Sequence, residues 1–257
     1  MINSSMPEFA RAVKLLPPVS RPAWKGWVES LRSDFEAFIR PPQAAPEHRG
    51  VHLATVVSAL SEMLQPDAIV CNGAGNYTLW VHRFHKYRRP GTSLAPVSGA
   101  MGYGLPAAVA AKLRYPNRTV VCFAGDGCFL MYPQELSTAT QFGAAIIVLI
   151  VNNGMYGTIR MHQERRYPGR VSGTKIENPD FVALAQSFGA YAERVSETDG
   201  FLDAFSRAER AGVPALLDLC VDADQITPGA RLSRSDRLVG VSAPAGVKSV
   251  SDKDARS

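Results

Sequence analysis

Two short stretches of this chain carry oxygen donors at places where a hard cation can use them. Thr119-Val120-Val121-Cys122-Phe123-Ala124 runs directly into Gly125-Asp126-Gly127, and Ile146-Ile147-Val148-Leu149-Ile150-Val151 runs into Asn152-Asn153-Gly154. An unbroken apolar run rich in β-branched residues reads as a strand buried on both faces, so a carboxylate and an amide oxygen emerge at two strand ends. The two motifs lie about one right-handed strand–helix–strand unit apart, which makes their strands neighbours. Mg²⁺ takes few protein oxygens and completes its octahedron with phosphate oxygens and water, so this pair calls for a diphosphate-bearing ligand. Gly-Asp-Gly alone is a common turn and Asn-Asn-Gly a common loop; both together, each after an apolar strand and with a helix between, carry the inference.

The elements that must position these groups follow from the same pattern. Strands are expected at Ala68 to Cys71, Thr119 to Ala124, Ala145 to Val151, Ala190 to Val195 and Ala215 to Val221. Helical patterns occupy Leu53 to Leu64, Leu105 to Leu113, Pro133 to Phe142, Asp180 to Phe188 and Phe201 to Arg210. Apolar strands alternating with helices predict an α/β fold, a doubly wound parallel sheet with helices on both faces. Ligands of such sheets bind at the carboxyl ends of the strands.

Three regions are expected. Residues 1–45 read as a linker with one orphan amphipathic helix, Trp24 to Ile39, whose apolar face carries Trp24, Trp27, Val28, Leu31, Phe35 and Phe38 and must pack on something. Residues 46–226 form the ligand-binding domain. Residues 227–257, poor in large apolar side chains, read as a flexible tail.

The bulk composition narrows the function classes. With 257 residues and 46% hydrophobic content the chain has ample material for a core. No run of eighteen apolar residues and no secretory leader is present, which predicts a cytoplasmic protein that does not span a membrane. Cys71, Cys122, Cys128 and Cys220 are scattered, mostly within apolar runs, and imply neither disulfides nor zinc. The net charge of +5 and the basic, aromatic run His82-Arg83-Phe84-His85-Lys86-Tyr87-Arg88-Arg89 raise nucleic acid as a partner. No nucleic-acid module accompanies the run, so the expectation is a solvated helix end or a patch facing an anion.

On these residues, most of 50–225 resembles the diphosphate-binding domain of thiamine diphosphate enzymes of the acetolactate synthase and 2-oxo-acid decarboxylase superfamily. The resemblance implies thiamine diphosphate and Mg²⁺ as cofactors, with Asp126, Asn153 and the backbone carbonyl of Met155 as metal ligands. Gly75, Asn76 and Tyr77, within Asn72-Gly73-Ala74-Gly75-Asn76-Tyr77-Thr78-Leu79-Trp80, stand where relatives contact the diphosphate, as do Gly125, Gly127 and Cys128. Tyr156 and Gly157 continue the metal loop into a helix at the mouth of the site, from which Ile159, Arg160 and His162 can face substrate. Ser98-Gly99-Ala100-Met101-Gly102-Tyr103-Gly104 resembles the segment under the bent cofactor. There Met101 would press the two rings together, and the Gly99 carbonyl would accept a hydrogen bond from the pyrimidine amino group.

The same resemblance implies a missing half. Relatives need a second domain that binds the pyrimidine ring and supplies a glutamate, and nothing in this chain resembles it. The chain is therefore expected to be the thiamine diphosphate- and Mg²⁺-binding portion of a 2-oxo-acid decarboxylase or carboligase, inactive alone, with a pyrimidine-binding domain or subunit as partner in a homo- or hetero-oligomer. Its substrate would be a small 2-oxo acid. An aldehyde-forming decarboxylase subunit, the small subunit of an oxo-acid:ferredoxin oxidoreductase and an inactive cofactor-binding remnant are the other readings; the cysteine spacing argues against the oxidoreductase.

Overall fold

A computed structural model describes residues 3–20, 23–45 and 48–232. The chain divides into two compact units, Met1–Arg40 and Pro41–Ser257. The first unit holds helices α1 (Met6–Lys14) and α2 (Lys25–Phe38). Helix α2 follows the apolar period expected of residues 24 to 39, whereas α1 has too short an apolar pattern to stand out in the sequence. Ser5 caps it through Oγ, which accepts the Glu8 N–H at 3.4 Å.

In the second unit the order is α3 (Leu53–Met63), β1 (Ile69–Asn72), α4 (Thr78–Phe84), β2 (Ser93–Leu94), α5 (Gly104–Arg114), β3 (Val120–Gly125), α6 (Asp126–Phe129), α7 (Glu135–Gln141), β4 (Ile147–Asn152), α8 (Gly157–Arg166), α9 (Phe181–Ser187), β5 (Tyr191–Val195), α10 (Phe201–Arg210), β6 (Ala215–Cys220), β7 (Gln225–Thr227) and β8 (Ala230–Arg231). Strands β1 to β6 form one sheet in the order β2-β1-β3-β4-β6-β5, and every pairing in it is parallel. This is the doubly wound α/β architecture that the alternation of apolar strands and helices predicts.

The sheet is buried on both sides because successive side chains alternate between two cores. Val121, Phe123, Leu149, Val151, Leu217 and Leu219 pack with α3, α4 and α10 through Val57, Leu60, Trp80, Val81, Phe201 and Phe205. Cys122, Ala124, Val148, Ile150 and Leu216 face α5, α7 and α9, where Leu105, Val109, Leu136 and Phe181 lie. Phe129 meets Phe181 edge-on in that second core at 5.6 Å.

Strand order reverses direction between β1 and β3: the chain steps outward to β2 on one side, then crosses back to continue on the other. A crevice opens at the carboxyl ends of strands on either side of such a switch point. Register sets Gly125 of β3 opposite Val151 of β4, so Asp126 leaves the sheet level with Asn152. Strand β2 was invisible in the sequence because two residues, one of them the exposed Ser93, show no apolar period.

At the C-terminal side, β7 and β8 pair antiparallel, so the boundary expected at residue 227 falls within a hairpin. The remainder of the expected tail, 233–257, lies outside the described residues. Lys86 and Arg88 of the basic run ion-pair with Glu62 of α3 at 2.8 and 3.0 Å, and Arg88 also donates to the Ser61 carbonyl at 2.9 Å. Those two cations are thereby engaged on the protein's own surface.

Candidate functional site

Asp126 occupies the first turn after β3 and is 2% exposed. Its Oδ1 accepts the Gly127 N–H at 2.9 Å, and its Oδ2 accepts the Gly154 N–H at 2.7 Å and the Asn178 amide at 2.8 Å. Burial raises the carboxyl above its ordinary value, against the opposing pull of these donors. A buried carboxylate with donors but no cation partner is a group that a metal ion would compensate.

The Gly154 contact joins the ends of β3 and β4 and brings Asn153 to the same place; Asn153 Oδ1 accepts the Met155 N–H at 3.2 Å. Asn152 turns away instead. Its amide donates to Asp218 Oδ1 at 2.9 Å and its Oδ1 accepts from Asn178 at 2.9 Å, while Asp218, fully buried on β6, also takes Arg194 Nε at 3.0 Å. Asn178 thus stands behind both motifs with one amide nitrogen shared between Asp126 and Asn152. Its segment is pinned to the loop after β4 by backbone bonds, Tyr156 N–H to the Thr174 carbonyl at 2.8 Å and Ile176 N–H to the Gly154 carbonyl at 2.9 Å.

Gly125 and Gly127 serve the site through space rather than through the turn, since neither has a positive φ. A Cβ on Gly125 would sit 3.1 Å from the Tyr77 ring, and one on Gly127 would sit 2.7 Å from the Tyr156 ring.

A cavity of about 270 Å³ opens over these strand ends. Gly75, Asn76, Tyr77, Gly99, Met101, Gly125, Asp126, Gly127, Cys128, Asn153, Met155, Tyr156 and Gly157 all line it, so residues from four separate stretches of the chain share one space. Asn76 is held at its rim: its amide donates to the Ile226 carbonyl at 3.0 Å and its Oδ1 accepts the Thr158 hydroxyl at 2.8 Å. The Tyr77 hydroxyl lies 3.5 Å from Cys128 Sγ, and Gly102 N–H donates to the same sulfur at 3.2 Å. Ile159 lines the cavity, whereas Arg160 ion-pairs with Asp224 at 3.1 Å and the exposed His162 is outside the lining.

Residues 73–219 match the family model "Thiamine pyrophosphate enzyme, C-terminal TPP binding domain". The chain belongs to the thiamine pyrophosphate enzymes. This thiamine pyrophosphate-binding domain is similar to the acetolactate synthase large subunit of Corynebacterium glutamicum, 36% identical over 215 residues that cover 80% of this chain and 33% of that protein. The acetolactate synthase large subunit of Parasynechococcus marenigrum is 32% identical over 216 residues, 83% of this chain and 34% of that protein. Among solved structures, the thiamine diphosphate-dependent 4-hydroxybenzoylformate decarboxylase of Rhodococcus jostii RHA1 superposes with a TM-score of 0.67 at 28% identity, over 72% of this chain and 35% of that one. The chain spans about a third of the length of the relatives it matches.

Other parts of the cavity of this thiamine pyrophosphate-binding domain escaped the sequence reading. His48, Val51, His52, Val221, Gln225 and Ile226 also line it, and Asn178 stands behind it. None belongs to a motif: His48, Val51 and His52 precede α3, Val221 follows β6, and Gln225 and Ile226 lie on β7. Among the described residues no helix is long and apolar enough to cross a membrane. Burial pushes the Cys71 thiol up to about 12 and Cys122 well above its ordinary value, so both behave as small core hydrophobes.

Proposed function

We propose that this chain holds the diphosphate of thiamine diphosphate through Mg²⁺ as part of a 2-oxo-acid decarboxylase or carboligase of the acetolactate synthase kind. The observation that carries the reading is the Asp126 carboxylate, buried at the end of β3 and tied by the Gly154 N–H to the loop that bears Asn153.

The donor set suits that metal and that ligand. Among the described residues no three His, Cys, Asp or Glu side chains gather to hold an ion by themselves. A cation at Asp126 therefore draws most of its oxygens from a ligand, the habit of Mg²⁺ on a diphosphate. Asp126, Asn153 and the Met155 carbonyl would be its protein ligands. That carbonyl accepts the Gly157 N–H at 3.0 Å and keeps a second lone pair for a metal. Asn178, whose amide nitrogen holds Asp126 Oδ2 at 2.8 Å, backs that carboxylate from behind the cavity.

When bound, the cofactor supplies the carbon nucleophile that adds to the keto carbon of a 2-oxo acid. The chain's own residues would bind and orient it: Asp126 and Asn153 would hold the metal, Asn76 and the backbone at Gly127 and Cys128 would hold the diphosphate, and Met101 would pack against the rings. The Gly99 carbonyl would accept from the pyrimidine amino group, and the apolar wall of Val51, Val151 and Val221 would exclude water. Asp126 is the one carboxylate among the described residues that line the cavity. The glutamate that activates the pyrimidine therefore comes from a partner domain or subunit, which makes the active unit an oligomer or a longer chain acting in the cytoplasm.

An aldehyde-forming decarboxylase is the second reading, favoured by the superposition on the 4-hydroxybenzoylformate decarboxylase. The deciding experiment is titration calorimetry of thiamine diphosphate with Mg²⁺ into wild type and Asp126→Ala. Binding by wild type and its loss in the variant are expected; equal binding by both would sink the assignment.

A further inference from the structure

His48 and His52 reach the cavity from outside every motif, and their placement is tightly built. Gly50 between them has φ +71, and a Cβ there would lie 2.3 Å from the Cys220 carbonyl, so only glycine lets this segment close on the end of β6. Val51 N–H then donates to that carbonyl at 2.8 Å, and His52 N–H donates to the Thr198 hydroxyl at 2.8 Å. Side-chain contacts finish the arrangement. His52 Nδ1 pairs with the Thr55 hydroxyl at 2.7 Å, and the two imidazoles meet edge to face at 5.0 Å.

One atom in this arrangement has no use within the protein. The His48 side chain is 8% exposed, with Nδ1 3.9 Å from Asp222 Oδ2, yet its Nε2 is buried and has no hydrogen-bond partner. Asp222 is otherwise occupied by Arg231 at 2.6 Å and the Arg49 N–H at 3.1 Å. His48 lines the cavity, and an unpaired ring nitrogen on such a residue is available to a ligand atom that enters there. The chemistry of that atom follows from the rest of the wall: the described residues lining the cavity include no Lys or Arg, so the two histidines are its only side chains able to carry positive charge. One Mg²⁺ does not neutralise both the Asp126 carboxylate and a diphosphate, and a further donor to the anion is favoured.

We propose that His48 is an anion-binding residue of this cavity, donating Nε2–H to an anionic oxygen of the bound diphosphate, with His52 as the positioning residue that fixes its ring. The inference rests on the reading of the cavity as a diphosphate site. Donation needs a proton on Nε2, and of the two forms that carry one the imidazolium also presents Nδ1–H to the Asp222 carboxylate. His52 is pushed below its ordinary value by burial and by His48, which keeps it a neutral support.

The test uses the full chain and inorganic pyrophosphate with Mg²⁺, read by calorimetry and by the ring-nitrogen NMR shift of His48. His48→Phe, which keeps a ring and loses the donor, is expected to weaken pyrophosphate binding about tenfold. His48→Gln, whose amide nitrogen can stand near Nε2, is expected to stay within about threefold of wild type. The Nε2 resonance should move on adding pyrophosphate and stay put on adding pyruvate. Wild-type affinity in His48→Phe, with binding lost in Asp126→Ala, overturns the assignment of His48 and leaves the diphosphate site standing. A response to pyruvate alone overturns it in favour of a substrate carboxylate. No pyrophosphate binding by wild type removes the diphosphate site and this proposal with it.

Discussion

The backbone N–H of Gly154 donates to Oδ2 of Asp126 at 2.7 Å, closing the ends of two neighbouring strands around one carboxylate. This single bond sets where Asn153 and Met155 lie relative to Asp126, and with them the whole expected metal site. Several of its consequences are measurable.

Asp126→Asn keeps the shape of the side chain and removes its buried charge. Burial opposes that charge, and three donors hold it: the Gly127 and Gly154 N–H groups and the Asn178 amide. Asp126→Asn, whose amide nitrogen would face one of these donors, is expected to lower the metal-free melting temperature and to abolish the increase that Mg²⁺ with thiamine diphosphate produces in wild type. A thermal melt with and without both ligands checks it; an equal ligand-induced rise in the variant refutes it.

Asn178 holds Asp126 Oδ2 at 2.8 Å and Asn152 Oδ1 at 2.9 Å through one nitrogen. Removing such a supporting contact behind a metal ligand costs about 10- to 100-fold in metal affinity. Asn178→Ala is therefore expected to weaken Mn²⁺ binding, measured by electron paramagnetic resonance in the presence of thiamine diphosphate, by at least about tenfold. Unchanged affinity would show that the loop holds Asp126 without Asn178.

His85 is pushed down to about 4 by burial first and then by Arg88 and His82, from an ordinary value of 6.5. Its folded-state value is depressed, so between about 4 and 6.5 the unfolded chain binds a proton that the folded one does not. Stability then falls as pH drops through that window. Given its partial exposure, the loss is on the order of 1–2 kcal/mol. Urea unfolding at pH 7 and pH 5 should show a smaller pH effect in His85→Gln than in wild type.

Leu149 lies in the middle of β4, fully buried, on the face that packs under α3, α4 and α10. Leu149→Ala is expected to cost about 3 kcal/mol through lost burial and the cavity left behind. The midpoint of denaturant unfolding reports it. A cost below about 1 kcal/mol would mean that the sheet relaxes around the gap.

Legibility in the sequence followed the range of the interactions. Five of the six strands of the main sheet were readable, most plainly β3 and β4 as unbroken apolar runs, whereas β2, two residues long, owes its place to pairing with β1. Asp126 and Asn153 were readable because each follows its own strand directly. The inward turn of Asn152 to Asp218 was not, since nothing local distinguishes two consecutive asparagines.

The amino-acid sequence by itself determined the buried parallel strands, the helices between them and the oxygen donors at the ends of β3 and β4, because each depends on residues close together in the chain. Only the tertiary structure decided that His48, His52 and Ile226 share one cavity with those donors and that Asn178 stands behind Asp126. Their positions depend on loops closing against strands far away in sequence, as Gly50 does on Cys220 and Asn76 on Ile226. Such contacts are selected by backbone space and hydrogen-bond geometry and leave no period or spacing in the chain to read.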